Sequence, residues 1–165
     1  MIISMEGLPK IKEKYKDKKI VFCSGVFDLT HAGHIFFFEK CREYGDILVV
    51  GVGGDLLIKK RKGEKRPILN EKIRLKTIDS LKPVNFSFID NISNSENPLF
   101  LLDIALEKLK PNVYVINEDA FDIPYREKLC NEFNVNLVIF PKEKYSSIVE
   151  GLSTSKIIER IKELD

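Results

Sequence analysis

Apolar and polar residues alternate in blocks along the chain. Residues 19–27 carry Ile20, Val21, Phe22 and Val26 and read as a buried strand. The run 46–52, DILVVGV, is continuously apolar, as in a strand covered on both faces. Residues 84–89, of alternating character, 112–117 (NVYVIN) and 135–140 (VNLVIF) predict three further strands. Helical patterns fall between them. They cover 33–44; 70–81, with Asn70 as N-cap; 99–109, stopped by Pro111; 124–133, with Pro124 in its first turn; and 153–164. Residues 53–65 are polar and lysine-rich, and read as a short helix and a mobile loop. This alternation predicts an α/β fold: a doubly wound, five-stranded parallel sheet with helices on both faces, Rossmann-like. No repeat or low-complexity linker interrupts it, so one domain over 1–165 is expected. Ligands of such folds bind beyond the carboxyl ends of the strands, which directs attention to the segments just after each strand.

Composition narrows the function classes. With 44% hydrophobic and 32% charged residues in 165, the chain reads as globular and able to bury a core. A net charge of +2 does not call for nucleic acid as a partner. No apolar run approaches the roughly 20 residues of a membrane span, and the first residues lack the pattern of a signal peptide. Cys23, Cys41 and Cys130 are odd in number and dispersed, with neither a disulfide framework nor a C-x-x-C pair. Reduced, buried thiols in a cytoplasmic protein are expected.

The segment after the first strand, Ser24-Gly25-Val26-Phe27-Asp28-Leu29-Thr30-His31-Ala32-Gly33-His34, holds both histidines of the chain, three apart, where a helix begins. A helix start offers unpaired N–H groups and about half a unit of positive charge, a ready phosphate site. Two imidazoles there add donors, and Gly25 and Gly33 allow close approach to the backbone. A pair of ordinary surface histidines is the alternative. Zinc is disfavoured, because His-x-x-His has no third ligand at suitable spacing.

His-x-Gly-His after GVFDLT resembles the nucleotidylyltransferase superfamily that carries an HxGH signature. Three further stretches match in order. Lys62-Gly63 and Arg66-Pro67-Ile68 are similar to its nucleotide-side loop, Arg74 falls on its helical arginine, and Glu150-Gly151-Leu152-Ser153-Thr154-Ser155 resembles its E-G-x-S-T-[TS] helix start. Within the superfamily, the chain looks most like the adenylyltransferases of ADP-heptose synthesis, then glycerol-3-phosphate cytidylyltransferases.

The resemblance implies attack of a phosphate monoester on the α-phosphorus of a nucleoside triphosphate, with pyrophosphate leaving. Such a nucleophile is already anionic, so positioning and electrostatics would supply the catalysis. His31 and His34 would donate to the phosphates, Lys62 and Arg61 would reach the triphosphate or the acceptor phosphate, and Arg74 would bind the β- or γ-phosphate. Gly25, Val26, Phe27 and Gly33 would line the nucleotide site. Ser153, Thr154 and Ser155 would form a second anion site at the last helix. Mg²⁺ would bridge triphosphate oxygens with few protein ligands. A homodimer is expected as well.

Each residue has a plainer reading. The run 59–62 can be a solvated loop, Ser153 a simple N-cap, and Asp28 a loop fastener. Phe36, Phe37 and Phe38 cannot all face one core from one helix. The chain departs from its relatives after the fourth strand. Where the heptose type has a K-G-G-D-like stretch and the glycerol type G-D-D-W, this chain has Ile116-Asn117-Glu118-Asp119-Ala120. Asp119 keeps the acidic position and is a candidate ligand for base, acceptor or metal, or a helix cap. The arginine preceding E-G-x-S-T in the glycerol type is replaced near Ile148, as in the heptose type, which favours ATP over CTP. A cytidylyltransferase making a CDP-alcohol or CDP-sugar, flavin- or nicotinamide-type adenylyl transfer, and a non-catalytic nucleotide-binding regulator are the alternatives. A dinucleotide oxidoreductase is disfavoured, because no G-x-G-x-x-G follows the first strand.

Overall fold

A computed structural model describes residues 1–89, 97, 99–141, 149 and 151–164. Ile148 and Glu150, singled out above, lie outside the described residues. Five parallel strands, β1 (Ile20–Gly25), β2 (Ile47–Val52), β3 (Phe86–Ile89), β4 (Val113–Asn117) and β5 (Asn136–Phe140), lie in the order β3-β2-β1-β4-β5. The order reverses between β1 and β4, so the crevice for a ligand opens beyond Gly25 and Asn117.

The pleat sends alternate residues to opposite faces, and helices cover both. On one face Val21, Cys23, Leu48, Val50, Val113 and Val115 pack beneath α2 (Ala32–Arg42) and α4 (Glu71–Asp79). On the other, Phe22, Val49, Phe88, Tyr114 and Ile116 meet α5 (Phe100–Leu109) and α6 (Ile123–Glu132). There the Phe22 and Tyr114 rings stack with centroids 5.2 Å apart. The doubly wound arrangement expected from the hydrophobic pattern is the one observed. Phe37 and Phe38 of α2 enter the core, while Phe36 stays partly buried with the Lys40 ammonium 5.4 Å from its ring centre. Cys23, Cys41 and Cys130 are buried free thiols.

Two more helices flank the crevice. Residues 53–65 form α3 (Asp55–Lys62), which ends at Gly63 with φ +89°, a backbone conformation suited to glycine. The C-terminal helix α7 (Thr154–Lys162) buries no residue. Asn70 and Ser153 cap their helices as expected, accepting from the Ile73 and Lys156 amides. The hydrophobic pattern did not predict α1 (Leu8–Lys14), which buries Leu8 and Ile11 against α5. Residues 1–3 run along the outer edge of β3, where the Ile3 amide donates to the Ser87 carbonyl at 2.9 Å.

Candidate active site

A cavity of about 1120 Å³ opens at the carboxyl ends of the strands. His31, His34 and Lys62 line it, as do Gly25, Val26, Phe27, Gly33, Asp119, Ser153, Thr154 and Ser155. Thus segments from the two ends of the sequence meet over the β1–β4 switch point.

The two histidines are built into the start of α2. His31 is its N-cap and accepts from the Gly33 amide through Nδ1 at 3.2 Å. His34 Nδ1 accepts from the His31 amide at 3.3 Å. This reciprocal cap is a capping box made by imidazoles. Because each Nδ1 accepts a backbone proton, each neutral ring carries its own proton on Nε2. The rings lie 3.9 Å apart, centroid to centroid. Burial, then the His31 ring, drives the His34 pKa down to about 3, against a smaller upward pull from Asp28. Burial lowers the His31 pKa as well. Both imidazoles are therefore neutral donors near pH 7.

The glycines serve these rings and the loop. A Cβ on Gly33 would lie 3.0 Å from the His31 imidazole, so glycine leaves that ring room to fold back onto the helix start and a larger residue would push it outward. A Cβ on Gly25 would come within 2.8 Å of the Phe27 ring. Gly25 makes room for Phe27, itself at φ +50°, as much as for a ligand.

Asp28 fastens the loops. It is 1% exposed, and its carboxylate accepts from the Ile68 and Leu69 amides at 2.8 and 3.0 Å and from Arg66 Nε at 3.2 Å. Its own carbonyl accepts from the Thr154 hydroxyl at 2.8 Å. Thr154 thus clasps α7 to the β1 loop instead of offering its hydroxyl to an anion. The amides of Thr154 and Ser155 open the helix beside the cavity, where the first N–H groups of a helix have no intrahelical partner.

Arg74 departs from expectation. It does not line the cavity; it is 1% exposed, and its guanidinium is enclosed by protein acceptors. Nε donates to the Leu69 carbonyl at 2.9 Å, Nη1 to that of Val26 at 2.6 Å, and Nη2 to Gly53 O and Asp55 Oδ1, both at 2.7 Å. The expected grip on a β- or γ-phosphate is replaced by a positioning role. Arg74 ties the turns after β1 and β2 to α4, and through Asp55 it anchors α3. The Asp55 amide also donates to Glu71, at 2.8 Å.

α3 in turn presents Arg61 and Lys62. Burial, then the cations Arg66 and Arg61, lowers the Lys62 pKa, while Asp28 and Asp119 oppose the shift. Asp119 follows β4 at the cavity wall with Asn117. The N-cap of α6 itself is Asp122, whose carboxylate accepts from the Tyr125 amide at 3.2 Å. Glu118 is exposed and does not line the cavity.

Sequence reasoning missed Arg126, Phe121 and Lys156, which also line the cavity. No motif marks them. Arg126 lies on α6, beyond the segment that departs from the relatives' pattern, and its inward orientation follows from the register of that helix. Among the described residues, no group of three or more His, Cys, Asp or Glu side chains is placed to hold a metal ion.

The bifunctional protein HldE of Campylobacter jejuni subsp. doylei is 39% identical over 91% of this chain, and that of Helicobacter acinonychis 37% over 98%. The chain spans only 29% and 31% of those proteins. Among solved structures, a lipopolysaccharide core biosynthesis protein from Thermoplasma volcanium superposes with a TM-score of 0.61 at 28% identity, covering 78% of this chain and 99% of that one. A pantoate-beta-alanine ligase from Francisella tularensis, 17% identical, shares the fold with a TM-score of 0.65, covering 98% of this chain and 77% of its own. The cytidylyltransferase-like family model matches residues 22–160, which span the histidine pair, α3 and the start of α7. The chain belongs to the cytidylyltransferase-like family.

Proposed function

We propose that this chain transfers a nucleotidyl group, AMP in preference to CMP, from a nucleoside triphosphate to the phosphate of a sugar or polyol, releasing pyrophosphate. The observation that carries this reading is the pair of neutral imidazoles at the start of α2. Their Nε2–H groups are the free donors, in one cavity with Lys62 and the first amides of α7. An acceptor phosphate oxygen attacks the α-phosphorus, a new P–O bond forms, and the bond to the β-phosphate oxygen breaks. His31 and His34 donate to oxygens whose charge grows in the transition state. Lys62 and the helix start of α7 neutralise the phosphates. Mg²⁺ would enter with the triphosphate as part of the substrate and neutralise its charge, with Asp119 at the cavity wall as a candidate protein ligand.

The HldE relatives and the heptose-type resemblance support ATP and a sugar phosphate. We also propose that the chain works as a cytoplasmic homodimer, without nucleic acid or membrane as a partner. Ile161 and Leu164 of the C-terminal segment, 55% and 81% exposed, are apolar surface a second copy would cover. No helix among the described residues is long and apolar enough to cross a membrane.

Pyrophosphate release tests the reaction. ATP and CTP are each offered, with Mg²⁺, to a panel of phosphorylated sugars and alcohols, and release with ATP and a sugar phosphate is expected. Release with CTP alone would establish the cytidylyl reading. Nucleotide binding without release from any pair would favour a regulator. A second prediction concerns the divergent segment. Asp119→Asn is expected to raise KM or shift nucleotide or acceptor preference while leaving the melting temperature within about 2 °C, as for a surface substitution. Unchanged kinetics with a clear fall in melting temperature would make Asp119 structural.

A further inference from the structure

Arg126 is a buried cation in the cavity wall that the reading above leaves unused. It is only 7% exposed. Nε donates to the Phe121 carbonyl at 2.7 Å, and Nη1 donates to the Tyr114 hydroxyl. Among the described residues Nη2 has no partner and no ion pair includes Arg126; since none of their buried side-chain nitrogens or oxygens lacks a partner, Nη2 is accessible at the cavity wall. A buried charge without a counter-ion is costly, and arginine is almost never fully buried unpaired. Because Arg126 lines the ligand cavity, a ligand can supply the missing anion.

The surroundings strengthen this demand. Arg61 stacks on the Phe121 ring at 4.4 Å, so Phe121 holds one arginine by its face and the other by its carbonyl. The two cations repel, and this repulsion adds to burial in lowering the Arg61 pKa. The Tyr114 hydroxyl, accepting from Arg126, lies 3.1 Å from Ser24 Oγ, another cavity-lining atom. With Tyr114 donating onward, the Ser24 hydroxyl proton is directed away from Tyr114 and is available to the cavity.

Position tells which ligand this is. The histidines sit on α2, over the sheet face that bears Cys23 and Val50. Arg126 reaches Tyr114 from α6, over the opposite face. Phe22, Phe88, Leu99, Leu102 and Ile116 wall that side of the cavity with apolar surface. In the nucleotidyl-transfer reading the imidazoles, Lys62 and α7 hold the triphosphate, which leaves the second reactant for this lobe. Resting on the nucleotidyl-transfer reading, we propose that Arg126, with Ser24 and Arg61, binds an anionic group, phosphate or carboxylate, carried by the acceptor. The group is either the phosphate that reacts or a second acid elsewhere on the same molecule.

Calorimetric titration separates these sources without requiring turnover. Glucose 1-phosphate, glucose 1,6-bisphosphate and ATP are titrated into the wild type, Arg126→Met and Arg126→Lys. Removing one partner of a buried charged contact is expected to weaken acceptor binding by about thirtyfold or more in Arg126→Met, with ATP affinity within about threefold of wild type. A loss for both sugar phosphates identifies the reacting phosphate as the group held. A loss for the bisphosphate alone identifies a second anion. Arg126→Lys keeps the charge without the planar fork and is expected to fall between, which also serves if Arg126→Met does not fold. Wild type that binds neither sugar phosphate, folded variants with unchanged affinities, or an equal loss for ATP would each overturn the proposal. Absent pyrophosphate release with intact Arg126-dependent binding would instead count against nucleotidyl transfer alone.

Discussion

His34→Ala is expected to remain folded and to lose about a hundredfold or more in kcat, the scale of one donor that acts on transition-state charge. The stability change is modest, because the variant loses one capping acceptor, worth on the order of 1 kcal/mol, and the edge contact with Phe27 at 5.5 Å. Steady-state pyrophosphate release beside a thermal melt separates the two effects. A folded variant with near-normal kcat would remove His34 from the mechanism. The pH behaviour follows from the same burial. The folded pKa of about 3 lies below the unfolded value of about 6.5. Below pH 6.5 the unfolded chain takes up a proton that folded His34 refuses. Its contribution to stability is therefore complete above about pH 6.5 and declines as pH falls toward 3. Between pH 7 and 8 the ring stays neutral, so activity over that interval should not follow an imidazole titration.

Arg74→Met is expected to act on a different quantity. It removes four hydrogen bonds, leaves Asp55 without its cation and frees three backbone carbonyls. Breaking a buried pair of this kind costs about 3 kcal/mol or more. A clearly lower melting temperature is expected, with kcat and KM worsening together as α3 and its Lys62 lose their anchor. Arg74→Lys should not rescue it, because an ammonium cannot span acceptors on three segments. An intact melting temperature with a raised KM confined to the triphosphate would restore a direct phosphate contact.

These two residues also mark how far the sequence could be read. The placement of His31 and His34 was legible because it depends on local geometry: a helix start and a three-residue spacing fix both rings. The strands were legible because a sheet buried on both faces demands long apolar runs, as in ILVVGV. Arg74 was recognised as important, but its role depends on where two distant turns run. Only the folded chain shows Val26 O, Gly53 O and Leu69 O converging on one guanidinium. α1 escaped notice because two buried apolar residues among lysines, Leu8 and Ile11, make too short a pattern for a periodicity to emerge. Arg126 escaped because one arginine in a polar helix looks like any solvated residue until Tyr114 and Phe121 are seen to receive it.

The Asp28 junction makes distant segments share one fate. Its carboxylate holds the amides of Ile68 and Leu69, and its carbonyl holds Thr154, 126 positions away. If Asp28 moves, the loop before α4 and the start of α7 lose their fastening together. The two rims of the cavity thus form one cooperative opening unit rather than independent flaps. In native-state hydrogen exchange, the Ile68 and Leu69 amides would report the same opening event, well below the free energy that exposes the β1 and β2 amides. A ligand that orders α7 would slow exchange at Ile68 and Leu69 without touching either, because restraint on one rim is carried to the other through a single residue.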